Sequence, residues 1–271
     1  MSGRAGGRVS GGARALGALL AAAAVGGAGL AVLAPERSTP RQEAPARAAQ
    51  VENVPYDGRF TFARIRFEPL GGAQEWFEGH PDVKWNHDFP RAEHNFMRIL
   101  SELTLLRPYM NGGNVFTLDD PELMKYPVAY LCEPGFWAPT DAEVAGLRAY
   151  LAKGGFIIFD DFFGGHWYNF EAQMRKVLPQ ARLVPLDPSH PIFDSFFHIE
   201  SLDFGEERRG VPVYYGIFED NDPAKRLIAI ANYNNDIGEY WEWSDAGYLP
   251  IRPTNEAYQL GVNYVVYGMT H

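Results

Sequence analysis

From Phe60 onward, short apolar runs alternate with longer stretches of helical periodicity. FTFARIRF (60–67) repeats with period two. Thr61, Ala63, Ile65 and Phe67 fall on one face, and Phe60, Phe62, Arg64 and Arg66 on the other. This predicts a first strand with two arginines near its C-terminal end. Phe96, Ile99, Leu100 and Leu103 then form an apolar stripe over 90–106, with Pro90 suited to a helix's first turn. YPVAYLC (126–132), bounded by Pro127 and Pro134-Gly135, reads as a buried parallel strand. Thr140 with Glu143 forms a capping box, Val144, Leu147, Tyr150 and Leu151 an apolar helix face, and Gly154-Gly155 a helix stop. FIIFDD (156–161) is the next buried strand, so 126–161 predicts a right-handed βαβ crossover.

The same reading predicts a helix over 169–178 capped by Asn169, a short strand at 183–186 and a closing helix at 255–270. Segments 211–218 and 226–233, joined by EDNDPAK, predict an antiparallel pair. No internal repeat is present. The expected fold is α/β: a mainly parallel sheet flanked by helices, with an antiparallel β pair near the C-terminus, in one domain at 53–271.

The N-terminal fifth of the chain follows different rules. Arg4, Arg8 and Arg14 precede an uncharged Ala/Gly-rich run from Ala15 to Ala34, the layout of a signal peptide or an N-terminal membrane anchor over 1–34. The arginines predict a cytoplasmic N-terminus and a translocated remainder. Cleavage and retention both stay open, since Pro35 directly follows the Val32-Leu33-Ala34 site. Residues 35–52 have the Pro, Ala and charged composition of a disordered linker. The expected location is therefore periplasmic or otherwise extracytoplasmic, with residues 15–34 as the sole membrane contact.

Charge and cysteine usage narrow the function classes. The chain carries a net charge of -10, and residues 1–50 contribute six arginines against two glutamates, so the folded part is more acidic still. A surface of that sign repels phosphate backbones, which argues against a nucleic-acid partner. With one cysteine, Cys132, an intramolecular disulfide and a multi-cysteine zinc site are both excluded.

Open α/β sheets bind ligands beyond the carboxyl ends of their strands, so the strand ends carry the candidate chemistry. Asp160 and Asp161 close one strand and need an offsetting charge: Arg64, Arg66, a divalent metal or a proton. The loop that follows carries His166 and Trp167, and His190 lies in a rigid turn further on. Together these residues are the expected ligand-binding set, suited to a small polar or sugar ligand or to another envelope protein. Cys132 at the neighbouring strand end, with His198 and Glu200, is a candidate nucleophilic set, although Tyr130 and Pro134 argue against a sharp elbow at the cysteine. His80, His87 and His94 are spaced by seven, but Pro81 and Pro90 interrupt any common helix, so the spacing reads as chance. No cofactor is expected.

The block LRAYLAKGGFIIFDDFFGG, the SHPIFDSFF turn, WEW and the closing LGVNYVVYGMT resemble the bacterial family called domain of unknown function 4159. That resemblance implies a flavodoxin-like sheet and a place in the class I glutamine-amidotransferase-like superfamily, often in membrane-associated envelope proteins. Active relatives in the superfamily carry G-x-C-x-G where this chain has Tyr130 to Pro134, and both glycines are missing. The resemblance therefore implies a domain without glutaminase activity. Its best family-site positions here are Asp160, Asp161, His166, His190, Asn234 and Asp236. The competing expectation is a hydrolase using Cys132, or using Asp160 and Asp161 with a divalent metal.

Overall fold

The computed structural model describes residues 52–271, apart from 73–75, 78–79, 205–208 and 248. The candidate export segment and the linker through residue 51 lie outside the described residues. Among the described residues, no helix is long and apolar enough to cross a membrane.

Seven strands form one sheet: β1 (Ala63–Ile65), β2 (Asn114–Phe116), β3 (Val128–Cys132), β4 (Phe156–Phe162), β5 (Val184–Pro185), β6 (Val213–Phe218) and β7 (Leu227–Tyr233). Their order is β2-β1-β3-β4-β7-β6-β5. The first five are parallel, and β6 and β5 are added antiparallel at the far side. The parallel part has the strand order of a flavodoxin-like fold, whose switch point lies between β1 and β3. A separate two-stranded pair joins Trp76–Phe77 to His80–Pro81.

Helices cover both faces. On one, α1 (Arg91–Leu103), α4 (Ile237–Glu242) and α5 (Ile251–Thr270) pack over Phe62, Tyr130, Cys132, Phe156 and Ile158. On the other, α2 (Asp141–Lys153) and α3 (His166–Val177) pack over Ala63, Ile65, Leu131, Ile157 and Phe159. Alternate residues of β3 and β4 go to opposite cores, as the two-residue strand period requires. Both strands are buried at every position, which explains their unbroken apolar sequence. The capping box of α2 forms as expected, with Glu143 N donating to Thr140 Oγ1 at 3.2 Å and Thr140 N to Glu143 Oε2 at 2.8 Å. Gly154 ends the helix at φ 115, a conformation that favours glycine.

Four elements differ from the sequence expectation. β1 is shorter than the expected 60–67 and lies inside the sheet, with Ala63, Arg64 and Ile65 all buried. Helix α3 starts at His166, three residues before Asn169; the Asn169 amide instead donates to the carbonyls of Pro134 and Trp137. β2 and α4 are new: three and six residues are too short to show a period.

Candidate functional site

The site is built where β1, β3 and β4 end. β3 leaves the sheet at Glu133, which has φ 53 and ψ 48 and opens a 3-10 turn over Pro134–Phe136. Glu133 N donates to Asp160 O at 2.9 Å, and its carbonyl accepts from Phe136 N at 3.0 Å. This is an elbow: a left-handed, non-glycine residue between a buried strand and a helical turn. Gly135 makes it possible, because a β-carbon there would lie 2.4 Å from that of His166. The sharp turn therefore falls one residue later than the cysteine, and the side chain it presents is a carboxylate.

Cys132 is correspondingly sealed. It is 0% exposed, and its Sγ faces Asp161 Oδ2 at 3.8 Å and Asp88 Oδ2 at 4.0 Å. Burial, and then the charges of Asp161 and Asp88, push its thiol well above the ordinary range. His198 and Glu200 are not brought to it. Both are exposed, and His198 Nδ1 is 3.0 Å from Asp194. The triad expected of Cys132, His198 and Glu200 does not assemble.

Asp160 and Asp161 part company. The strand register shifts between Phe159 and Phe162, and Asp161 adopts φ 58. Asp160 is 0% exposed and fully bonded. Its Oδ1 accepts from Asn232 Nδ2 at 2.9 Å, and its Oδ2 from Tyr130 Oη at 2.7 Å, Ile237 N at 2.9 Å and Gly238 N at 3.1 Å. Asn232 is fixed in turn by Tyr264 Oη at 2.9 Å. Asp160 thus satisfies the first amides of α4 and ties that helix to the sheet. Burial raises its pKa to about 6 despite these donors. It is a structural knot and presents no free oxygen to a ligand.

Asp161, 6% exposed, points to the edge. Its Oδ1 pairs with Arg209 Nη1 at 2.5 Å, and Arg209 Nη2 reaches Asp236 Oδ2 at 2.7 Å. The charge that offsets Asp161 is therefore Arg209, and neither Arg64 nor Arg66. Asp236 also caps α4, accepting from Glu239 N at 2.9 Å. Asn234 (φ 61) accepts from Gly164 N at 3.3 Å and donates to Val211 O at 2.9 Å, which makes it a loop clasp.

The third contributor is His87, in the loop between β1 and α1. Arg64, 0% exposed, pairs with Glu93 of α1 and donates through Nη1 to Trp85 O at 3.0 Å and His87 O at 2.9 Å. It fixes the His87 backbone and does not bind at the edge; Arg66 is exposed. His87 Nδ1 lies 2.9 Å from Glu133 Oε1 and 4.0 Å from Asp161 Oδ2, and Nε2 is 2.9 Å from Asp82 Oδ1. Lys84 Nζ holds the other Asp82 oxygen at 2.5 Å. His87 and Glu133 thus face each other across the β1/β3 switch point, where flavodoxin-like sheets bind ligands. Of the seven non-glycine residues with positive φ among those described, Lys84, Asp88, Glu133, Asp161 and Asn234 all belong to this edge. Such strain gathers where function constrains the backbone.

The remaining expected residues divide. His166 stands over the elbow, its ring 4.8 Å from Phe136 and 4.9 Å from Phe163. Burial lowers its pKa, with Asp161, Arg209 and Lys84 as its charged neighbours. Trp167 packs into an aromatic cluster with Tyr215 at 4.5 Å and Tyr233 at 5.1 Å, so it serves packing beside the edge. His190 lies at the opposite end of the sheet. Its ring packs on Phe218 and Tyr267, and its Nδ1 accepts from Ile192 N at 3.2 Å. His94 is exposed on α1, so the seven-residue spacing does not gather the histidines; nothing of the His80 side chain is described. Glu133, His87 and Arg209 were not among the expected site residues: no motif flags them, because two loops and a strand end converge only in three dimensions.

Two outcomes follow. Asp160→Asn places an amide where one oxygen must accept from Asn232 or the other from three donors. It is expected to lower stability by about 1–3 kcal/mol per group left unsatisfied, measured by urea unfolding. His87 supplies a pH dependence. Burial lowers its pKa, but the hydrogen bond and charge of Glu133, with Asp161 and Asp82, more than offset this and hold it at about 9. The folded state therefore binds the proton more tightly than the unfolded state. The resulting stability is full below the ordinary imidazole pKa of about 6.5 and is lost as pH rises through about 9. Urea midpoints from pH 6 to 10 should fall more steeply for the native chain than for His87→Gln; parallel profiles would refute the assignment.

No curated protein matches the chain. A family model, Domain of unknown function (DUF4159), matches residues 61–269, which takes in every element of the sheet, its helices and the whole of the candidate site. The chain is a member of the DUF4159 family.

Proposed function

We propose that this is an exported or membrane-anchored cell-envelope domain that binds a small polar ligand or a protein partner at the carboxyl edge of its sheet, without glutaminase activity. The observation that carries the reading is the identity of the elbow residue. A glutaminase-type elbow must present a thiolate; here the turn presents Glu133, and the chain's one thiol sits beneath it with its ionisation opposed. The sequence resemblance implies relatives with a cysteine at the strand end; in this chain the sharp turn falls one residue later and presents a carboxylate, which supports a domain without that nucleophile.

Export rests on the arginine-led apolar segment at 15–34. Binding rests on the convergence of His87, Glu133 and Asp161 at the switch point, with Lys84 and Arg209 beside them. Mixed charges gathered at one edge suit a zwitterionic or polar ligand better than an apolar one.

Alkylation of Cys132 tests the claim. In the folded chain the reaction should be slow from pH 6 to 9 and become fast only in denaturant, and glutamine should release no ammonia. Rapid alkylation near neutral pH, or ammonia release abolished by Cys132→Ser, would overturn it.

A further inference from the structure

Resting on the reading of this edge as a ligand site, we propose that His87 Nδ1, Glu133 and Asp161 bind a first-row divalent transition-metal ion such as Zn2+ or Mn2+, with Asp82 orienting the imidazole. The three donors come from three separate pieces of chain: the loop after β1, the elbow after β3 and the irregular end of β4. Their ligand atoms all lie within 4.8 Å of one another. Metal–ligand bonds of about 2.0–2.2 Å place neighbouring donors roughly 3.0–3.6 Å apart. The observed 2.9 Å from His87 to Glu133 and 4.0 Å from His87 to Asp161 fall just outside that window on either side. Shifts under about 1 Å would complete the site.

The donors are not solvated surface acids. Glu133 is 8% and Asp161 6% exposed. Carboxylates so enclosed need a cation close by, a need that Arg209 meets for Asp161 and that a protonated His87 or a bound metal ion would meet for Glu133. The imidazole is also set up correctly. Nε2 lies against the Asp82 carboxylate at 2.9 Å, so that nitrogen carries a proton. If Nδ1 were bare, its lone pair would face the Glu133 oxygen at 2.9 Å, which is repulsive. A second proton or a metal ion must stand between them. The carboxylate–imidazole–metal arrangement is the usual way proteins orient a histidine ligand. Arg209 occupies one oxygen of Asp161 and leaves Oδ2 directed at the cluster.

His166 is a further polar neighbour of this edge. It stands over the elbow against Gly135, with Asp161, Arg209 and Lys84 as its charged neighbours. Its Nδ1 is buried without a hydrogen-bond partner among the described residues. The donor set selects the ion. One imidazole and two carboxylates suit Zn2+, Mn2+ or Fe2+ better than the all-oxygen preference of Ca2+ and Mg2+. Three protein donors leave at least one position for water or for a ligand of this edge.

The test is titration of the purified full-length chain with Zn2+ by calorimetry and with Mn2+ by electron paramagnetic resonance. One saturable ion per chain is expected. Glu133→Gln should abolish it, Asp82→Asn should weaken it about 10–100-fold, and Glu200→Gln, at an exposed position elsewhere, should leave it unchanged. Circular dichroism confirms that each variant is folded. Should Glu133→Gln unfold, Co2+ added to the native chain gives a second readout, the paramagnetic shift of the His87 imidazole resonances. No saturable binding, binding indifferent to Glu133→Gln, or His87 resonances untouched by Co2+ each overturn the proposal. A metal-free result with Cys132 still inert removes the metal and leaves the ligand-binding reading standing; a reactive Cys132 removes that reading itself.

Discussion

A left-handed turn at the end of a buried strand reverses where the next side chain can go, and this edge of the sheet uses that device three times. Glu133, Asp161 and Asn234 take φ values of 53, 58 and 61 at the ends of three adjacent strands. None is glycine, so each position costs of the order of 1–3 kcal/mol that the surrounding structure must over-determine. The turn at Glu133 is held by its own hydrogen bonds to Asp160 and Phe136 and by the lack of a side chain at Gly135. With an ordinary backbone there, the two-residue alternation of β3 would carry Glu133 into the opposite core from Cys132. The carboxylate reaches the switch point because the chain leaves the sheet at this residue.

Two buried knots make the arrangement rigid. Arg64, inside the first strand, holds the His87 loop by two carbonyls and ties it to α1 through Glu93. Asp160 holds α4 by two amides and ties it to β3 through Tyr130. Breaking a buried pair is worth several kcal/mol, because the partner is left charged in a low-dielectric interior. Both residues are therefore costly to change without touching a ligand. The residues next to the sheet's end, Glu133 and Asp161, face the His87 loop instead.

The extent to which the sequence foretold this follows from the range of the interactions. The β3–α2–β4 crossover was legible because its signals are local: continuous apolar runs, a capping box, and glycine at a left-handed helix end. The antiparallel β6–β7 pair was legible from its turn-rich connection. The carboxyl edge was singled out by a topological rule that places ligand sites beyond the strand ends, and not by any local motif. Which carboxylates face outward was not legible. The side chain of Asp160 or Asp161 is assigned by a register shift that no pattern encodes. His87 had been noticed only for a spacing that plays no part, and Arg209 sits in a loop with no periodicity at all. His190 was drawn in by its place in a rigid turn and His198 by its pairing with Glu200, whereas the fold leaves one at the far end of the sheet and the other in solvent.

The central claim is that the elbow carboxylate and the loop histidine act as one unit across the switch point. A double-mutant cycle on stability, using Glu133→Gln, His87→Gln and the double variant at pH 7 and again at pH 10, measures that directly. The account predicts a coupling of about 0.5–3 kcal/mol at pH 7 that shrinks towards zero at pH 10, where the imidazole has lost its charge. Additive effects at both pH values would contradict it and would reduce the edge to a set of independently placed side chains.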